Sequence, residues 1–151
     1  MEYSEFEAEQ AKWRDLVGGF ILAFGDVEVI THRLWREHFS EKTAPLFKPR
    51  TTAILDVLRR TDPRNDEVID CLVTALSIAD KRNTIAHNPM QAQVFLHSRT
   101  GELLFEMVIL SEKTDDYIDD AELKELRAQV EDLVTRLYIA LGYIESKSRI
   151  V

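Results

Sequence analysis

The apolar register that opens the chain constrains its fold most. From about residue 5 to 39, Leu16, Phe20, Ala23, Val27, Ile30 and Leu34 recur at three- and four-residue intervals, which is the spacing of one helix face. Val17, Ile21, Phe24, Glu28, Thr31 and Trp35 form a second stripe beside the first. A helix that is apolar on two adjacent faces needs more than one neighbour, or a partner chain, to cover it. Gly18-Gly19 lies inside this register and costs about 1 kcal/mol per glycine relative to alanine, so a kink or a close helix crossing is expected there.

The other elements follow from pattern and punctuation. Ser40 to Pro49 holds two prolines and no clean period, and reads as a loop. Thr51 to Arg60 fits a short helix with Ile54, Leu55 and Leu58 inward. Asp62-Pro63 has the form of a helix start, with Asp as cap and Pro in the first position. The helix it predicts runs to about His87, where Pro89 disfavours the helical conformation of its predecessor. A β-hairpin is expected over about 92–109, turning at Ser98 to Glu102, and it has to lie on the helices because a lone hairpin is marginal in water. Thr114 to Asp120 supplies caps and first-turn acids for a last helix, carried by Leu123, Leu126, Val130, Leu133 and Leu137 to about Glu145. The expectation is a single all-α domain over residues 1–151, a bundle of about four helices with one inserted hairpin. At 151 residues a chain can bury roughly 68–70% of its unfolded surface and hold its own core.

Charge and cysteine content narrow the function classes. The net charge of -8 counts against indiscriminate nucleic-acid binding, which rests on neutralising phosphates. The charge is uneven: Lys48 to Arg64 carries five bases and two acids (5 - 2 = +3), and Glu112 to Asp132 carries nine acids and three bases (3 - 9 = -6). The lone Cys71 sits in an apolar run and has no internal disulfide partner. Neither a secretory signal nor a membrane span is read in the chain, so a cytoplasmic location is expected.

The chemistry gathers at Lys81-Arg82-Asn83-Thr84-Ile85-Ala86-His87-Asn88-Pro89. Arg82 offers a permanent, planar, multi-donor charge suited to phosphate oxygens. His87 offers proton transfer near neutral pH. Arg82 falls on the face of Val68, Leu72, Ala75 and Ala79, where small neighbours leave room beside the guanidinium. Glu28 is the matching anomaly on the first helix, and a Glu28–Arg82 pair is expected to resolve both. Five residues turn a helix through about 500°, leaving Arg82 and His87 about 140° apart, so they converge only at a helix end or across two subunits. Asn83 precedes His87 by four residues and is placed to fix its ring or contact substrate. The basic stretch adds Arg59, Arg60 and Arg64, with Lys81, as candidate substrate-binding residues.

Arg82-Asn83-x-x-x-His87, near the end of the third helix of a small helical domain, resembles the R-polar-x-x-x-H signature of the HEPN superfamily. The specific part of the likeness is six residues long, and the helical layout extends it over about residues 5–146. It implies an up-and-down bundle that forms a homodimer, with a metal-independent endoribonuclease site at the dimer interface. His87 would be the acid or base, Arg82 would stabilise the phosphate, and Asn83 would position substrate or His87. No cofactor is implied. RNA and an antitoxin or regulatory protein are the implied partners. Many prokaryotic toxins of the superfamily carry a tyrosine two positions after the histidine; the equivalent here is Pro89. The alternative is a non-catalytic protein-interaction or RNA-binding module on the same fold.

Other candidates are weaker. His32 and His38 lack a metal-ligand pattern. His97 falls in a strand, Asp115, Asp116, Asp119 and Asp120 read as a solvated helix start, and Trp13 and Trp35 read as core.

Overall fold

The computed structural model of the protein describes residues 2–41 and 43–144. Four helices dominate: α1 (Tyr3–His38), α2 (Phe47–Arg60), α3 (Asp66–His87) and α4 (Asp120–Ala140). Between α3 and α4 lies a small antiparallel sheet of β1 (Met90–Leu96), β2 (Leu103–Leu110) and β3 (Tyr117–Ile118), in that order. No helix among the described residues is long and apolar enough to cross a membrane.

The stripes on α1 bury Trp13, Leu16, Phe20, Phe24, Val27, Ile30, Leu34 and Trp35. Leu72, Leu123, Leu133 and Leu137 meet them from α3 and α4, while Ile54 and Leu55 enter from α2. Gly19 lies under a side chain of α4. The Arg127 guanidinium from α4 lies 2.5 Å from where a Cβ of residue 19 would stand. From there Arg127 reaches Asp15 at 3.0 Å and Glu131 at 2.9 Å, so a larger residue 19 would have to displace the guanidinium from this position.

The helices do not simply alternate in direction. An up-and-down four-helix order makes the first and last helices antiparallel. Here Lys12 pairs with Asp120, Asp15 with Arg127, and Arg33 stacks on Tyr143, so contacts advance in the same sense along α1 and α4. The two are parallel. The physical reason is the placement of α2, which begins beside the middle of α1 and not at its end. It delivers Phe47 to Phe24, 5.1 Å between ring centroids, and Arg50 to Thr31. α1 and α2 are thus parallel as well. α3 and α4 are antiparallel, with Arg136 on Glu67 and Asp70 at one end and Lys81 on Glu122 at the other.

Several boundaries differ from expectation. α2 starts four residues before Thr51, because Pro49 falls in the first turn, where no N–H is needed. Asp62-Pro63 lies in the connector; α3 is capped instead by Asn65, whose Oδ1 accepts from Val68 N at 3.3 Å. α4 stops at Ala140 because Gly142, at φ 73°, turns the chain. Gly142 N then donates to Ile139 O, and Tyr143 N to Tyr138 O. The expected helix end near Glu145 lies outside the described residues.

The hairpin pairs Met90 with Ile109 and Leu96 with Leu103, close to the expected 92–109. Its base lies on the helices through the buried Met107 and Ile109. Its tip does not: Val94, Leu96, Leu103, Leu104 and Phe105 are all exposed. β3 had no signature in the acidic 114–120 segment, since two residues carry no period.

A candidate site at the end of α3

Arg82 sits where α1, α2 and α3 meet. Its Nη2 contacts Glu28 Oε1 at 2.9 Å, and its Nη1 donates to Asn83 Oδ1 at 3.1 Å. The guanidinium lies 5.9 Å from the centroid of Phe24. Small Ala79 one turn earlier is buried beneath it. The expected Glu28–Arg82 contact is therefore present, with both side chains 29% exposed.

A cleft of about 610 Å³ opens at this point, lined by Glu28 and His32 of α1, the 44–46 segment, the first turn of α2, and Ala79, Arg82 and Asn83 of α3. His32 is held below the usual imidazole range, first by burial and then by the neighbouring Arg50 and Arg36 charges, with Glu28 opposing. Lys48 donates to Asp80 in an exposed pair at the rim.

His87 is the last residue of α3 and is exposed. It lines a different, smaller cleft of about 210 Å³ with Asn83, Thr84, Asn88 and the 111–113 segment. Asn88 builds that cleft: its Nδ2 donates to Thr84 O at 2.8 Å and its Oδ1 accepts from Glu112 N at 3.0 Å. Within one chain Arg82 and His87 open onto separate clefts, as the helical turn between them requires, and Asn83 borders both. Asn83 bonds Arg82 and not His87.

The expected basic surface does not assemble. Arg59 and Arg60 end α2, and Arg64 pairs with Asp66 at the start of α3. From Asp66 to Arg82, α3 rises about 24 Å, so these three lie at the far end of the helix from the motif. Lys81 turns toward α4, where it pairs with Glu122 at 2.8 Å. The cations that do join Arg82 are Lys48 and Arg50, the first two of the basic stretch from Lys48 to Arg64. With the helix starting at Phe47, Arg50 falls at i and i+4 spacing with the buried Ile54 and Leu58, a signal the sequence does carry. The acids at 115, 116, 119 and 120 form no metal-binding set, since no group of three or more metal-ligating side chains gathers among the described residues.

Comparison with known proteins finds no matching family model, no matching curated protein and no matching solved structure.

Proposed function

We propose that the chain is a HEPN-like module that cleaves RNA without a metal, working as a pair of copies with the end of α3 as its site. The observation that carries this reading is the arrangement of Arg82, Asn83 and His87 around one exposed helix end. Arg82 is oriented by Glu28 and Asn83, and the His87 ring has no hydrogen-bond partner among the described residues. In the reaction the ribose 2′-oxygen attacks the adjacent phosphorus, a new P–O2′ bond forms, and the P–O5′ bond breaks. The 2′-hydroxyl proton leaves to a base, and the departing 5′-oxygen takes a proton. His87 of one copy serves one of these transfers, while Arg82 of either copy stabilises charge on the phosphate. A second copy is needed because one chain directs the two side chains into different clefts.

The second reading is a non-catalytic interaction or RNA-binding module, with an antitoxin or regulatory protein as partner. One observation favours it: Glu28 already neutralises Arg82, so a phosphate has to displace a carboxylate.

Purified protein is incubated with structured and single-stranded RNAs in chelator. Cleavage leaving 2′,3′-cyclic phosphate ends is expected, with His87→Ala slower by about 10²–10⁴. Equal cleavage by wild type and His87→Ala defeats the mechanism. Absence of cleavage by the dimeric protein under all conditions moves the assignment to the second reading.

A further inference from the structure

Arg50 is the charge in this fold that packing alone does not explain. It is 4% exposed. Its Nε donates to Thr31 Oγ1 at 3.0 Å and its Nη1 to Pro45 O at 2.7 Å, and both acceptors are neutral. Among the described residues no carboxylate bonds to it; Glu28, on the same cleft, acts on it only through space and is bonded to Arg82. Two buried or half-buried guanidinium groups thus share one carboxylate, and an anionic ligand is one way to supply the missing charge.

The surroundings fit such a ligand. Lys48, Arg50 and Arg82 line the cleft against Glu28 and, at the rim, the Asp80 partner of Lys48, a local balance of 3 - 2 = +1 in a protein of net charge -8. The first turn of α2 borders the cleft and has no side-chain cap, because Leu46 stands at the N-cap. Its free amides add partial positive charge to that of the side chains. The opposite character is present too, in Pro45, Leu46 and Phe47. A volume of about 610 Å³ suits a small organic ligand better than a bare ion.

We propose that this cleft binds a phosphomonoester on an apolar or aromatic body, of the nucleoside monophosphate class. Arg50, Lys48 and the first turn of α2 take the phosphate, and Leu46 and Phe47 take the body. The site borders Arg82 and Asn83, which the ribonuclease reading also uses, but it needs neither His87 nor cleavage, so the two can fail separately. If Arg50 only strapped Pro45 to Thr31 of α1, the cleft would bind no anion.

The test is calorimetric titration of the full chain with AMP, inorganic phosphate and adenosine. AMP is expected to bind more tightly than phosphate, and adenosine not to bind measurably. Lys48→Glu, an exposed change, is expected to weaken AMP by about tenfold or more, and Arg50→Lys to weaken it as well. Lys48→Glu alone carries the test if Arg50→Lys fails to fold. His87→Ala is expected to leave AMP binding unchanged even where it abolishes cleavage. RNA oligonucleotides with a terminal phosphate or a terminal hydroxyl separate the two sources of the group. Preference for the phosphorylated end, with free AMP weak, assigns the cleft to an RNA terminus; comparable binding of AMP assigns it to a free nucleotide. Three results overturn the proposal: no binding of any phosphate compound up to about 10 mM, adenosine binding as well as AMP, or AMP affinity indifferent to Lys48→Glu.

Discussion

Glu28 and Arg82 show how one odd residue in a pattern can be informative. A carboxylate in an apolar stripe and a guanidinium on an alanine-lined face each need a partner, and they meet at 2.9 Å. Both are about two-thirds covered, so Glu28→Ala is expected to cost about 1–2 kcal/mol in urea denaturation, between the values for exposed and for buried pairs. A loss under about 0.3 kcal/mol would mean the pair is solvated in effect. His32 gives a pH signature. Burial, then Arg50 and Arg36, hold it below its ordinary value, with Glu28 opposing. As pH falls through the unfolded value near 6.5, the unfolded chain takes a proton that the folded one resists. Stability is therefore expected to fall below about pH 6.5, and His32→Asn to flatten that part of the profile. An unchanged profile in the variant would assign the dependence elsewhere. Cys71 is fully buried, with its thiol pushed up to about 11 by that burial. It is expected to react with thiol reagents only on unfolding, and labelling of the native protein at the rate of an exposed cysteine would contradict this.

At the scale of elements, the hairpin divides into two parts. Ile109 is 1% exposed and part of the core, while Phe105 on the same strand is 59% exposed. Ile109→Ala is expected to destabilise by about 2–5 kcal/mol, and Phe105→Ser by less than about 0.5 kcal/mol in the isolated protein. Comparable losses at the two sites would show that the tip is covered in solution. The four helices and the hairpin were legible because each carries a period long enough to read. Three boundaries were not, and each turned on local chemistry that outranks pattern. Pro49 has the look of a loop residue, but the first helical turn tolerates it. Asn65 captured the cap expected of Asp62. Gly142 ended α4 by entering the left-handed region. The first of these bears on the candidate site, since the early start of α2 is what brings Lys48 and Arg50, of the basic stretch, to Arg82. Reading Arg59, Arg60 and Arg64 as its neighbours failed for a related reason: closeness in sequence crosses a helix reversal, and the reversal sends them to the opposite pole.

For the whole molecule, α1 keeps one uncovered face. Gly18 and Gly25 have open space above them, and Leu22 and Val29, in register with them, are 75% and 56% exposed. Their spacing makes a continuous strip adjacent in sequence to Glu28, and glycines allow a second helix to come close. The proposed two-fold pairing is expected to use this strip and to bury upwards of about 1,200 Å² in total. Light scattering should then give twice the 17.5 kDa chain mass, and Leu22→Glu should return the monomer. A wild-type monomer at micromolar concentration would remove the pairing and, with it, the shared ribonuclease site.

The parallel course of α1 and α4 also decides how the protein can be handled. Glu2 precedes α1 at one pole, and Tyr143 lies against Arg33 near the other. Along a helix that separation is about 45 Å. An extended tether between these two positions would need at least about 13 residues, so a short cross-linker does not join them. Fluorophores at the same two positions, by contrast, would report the integrity of the entire bundle through a single distance.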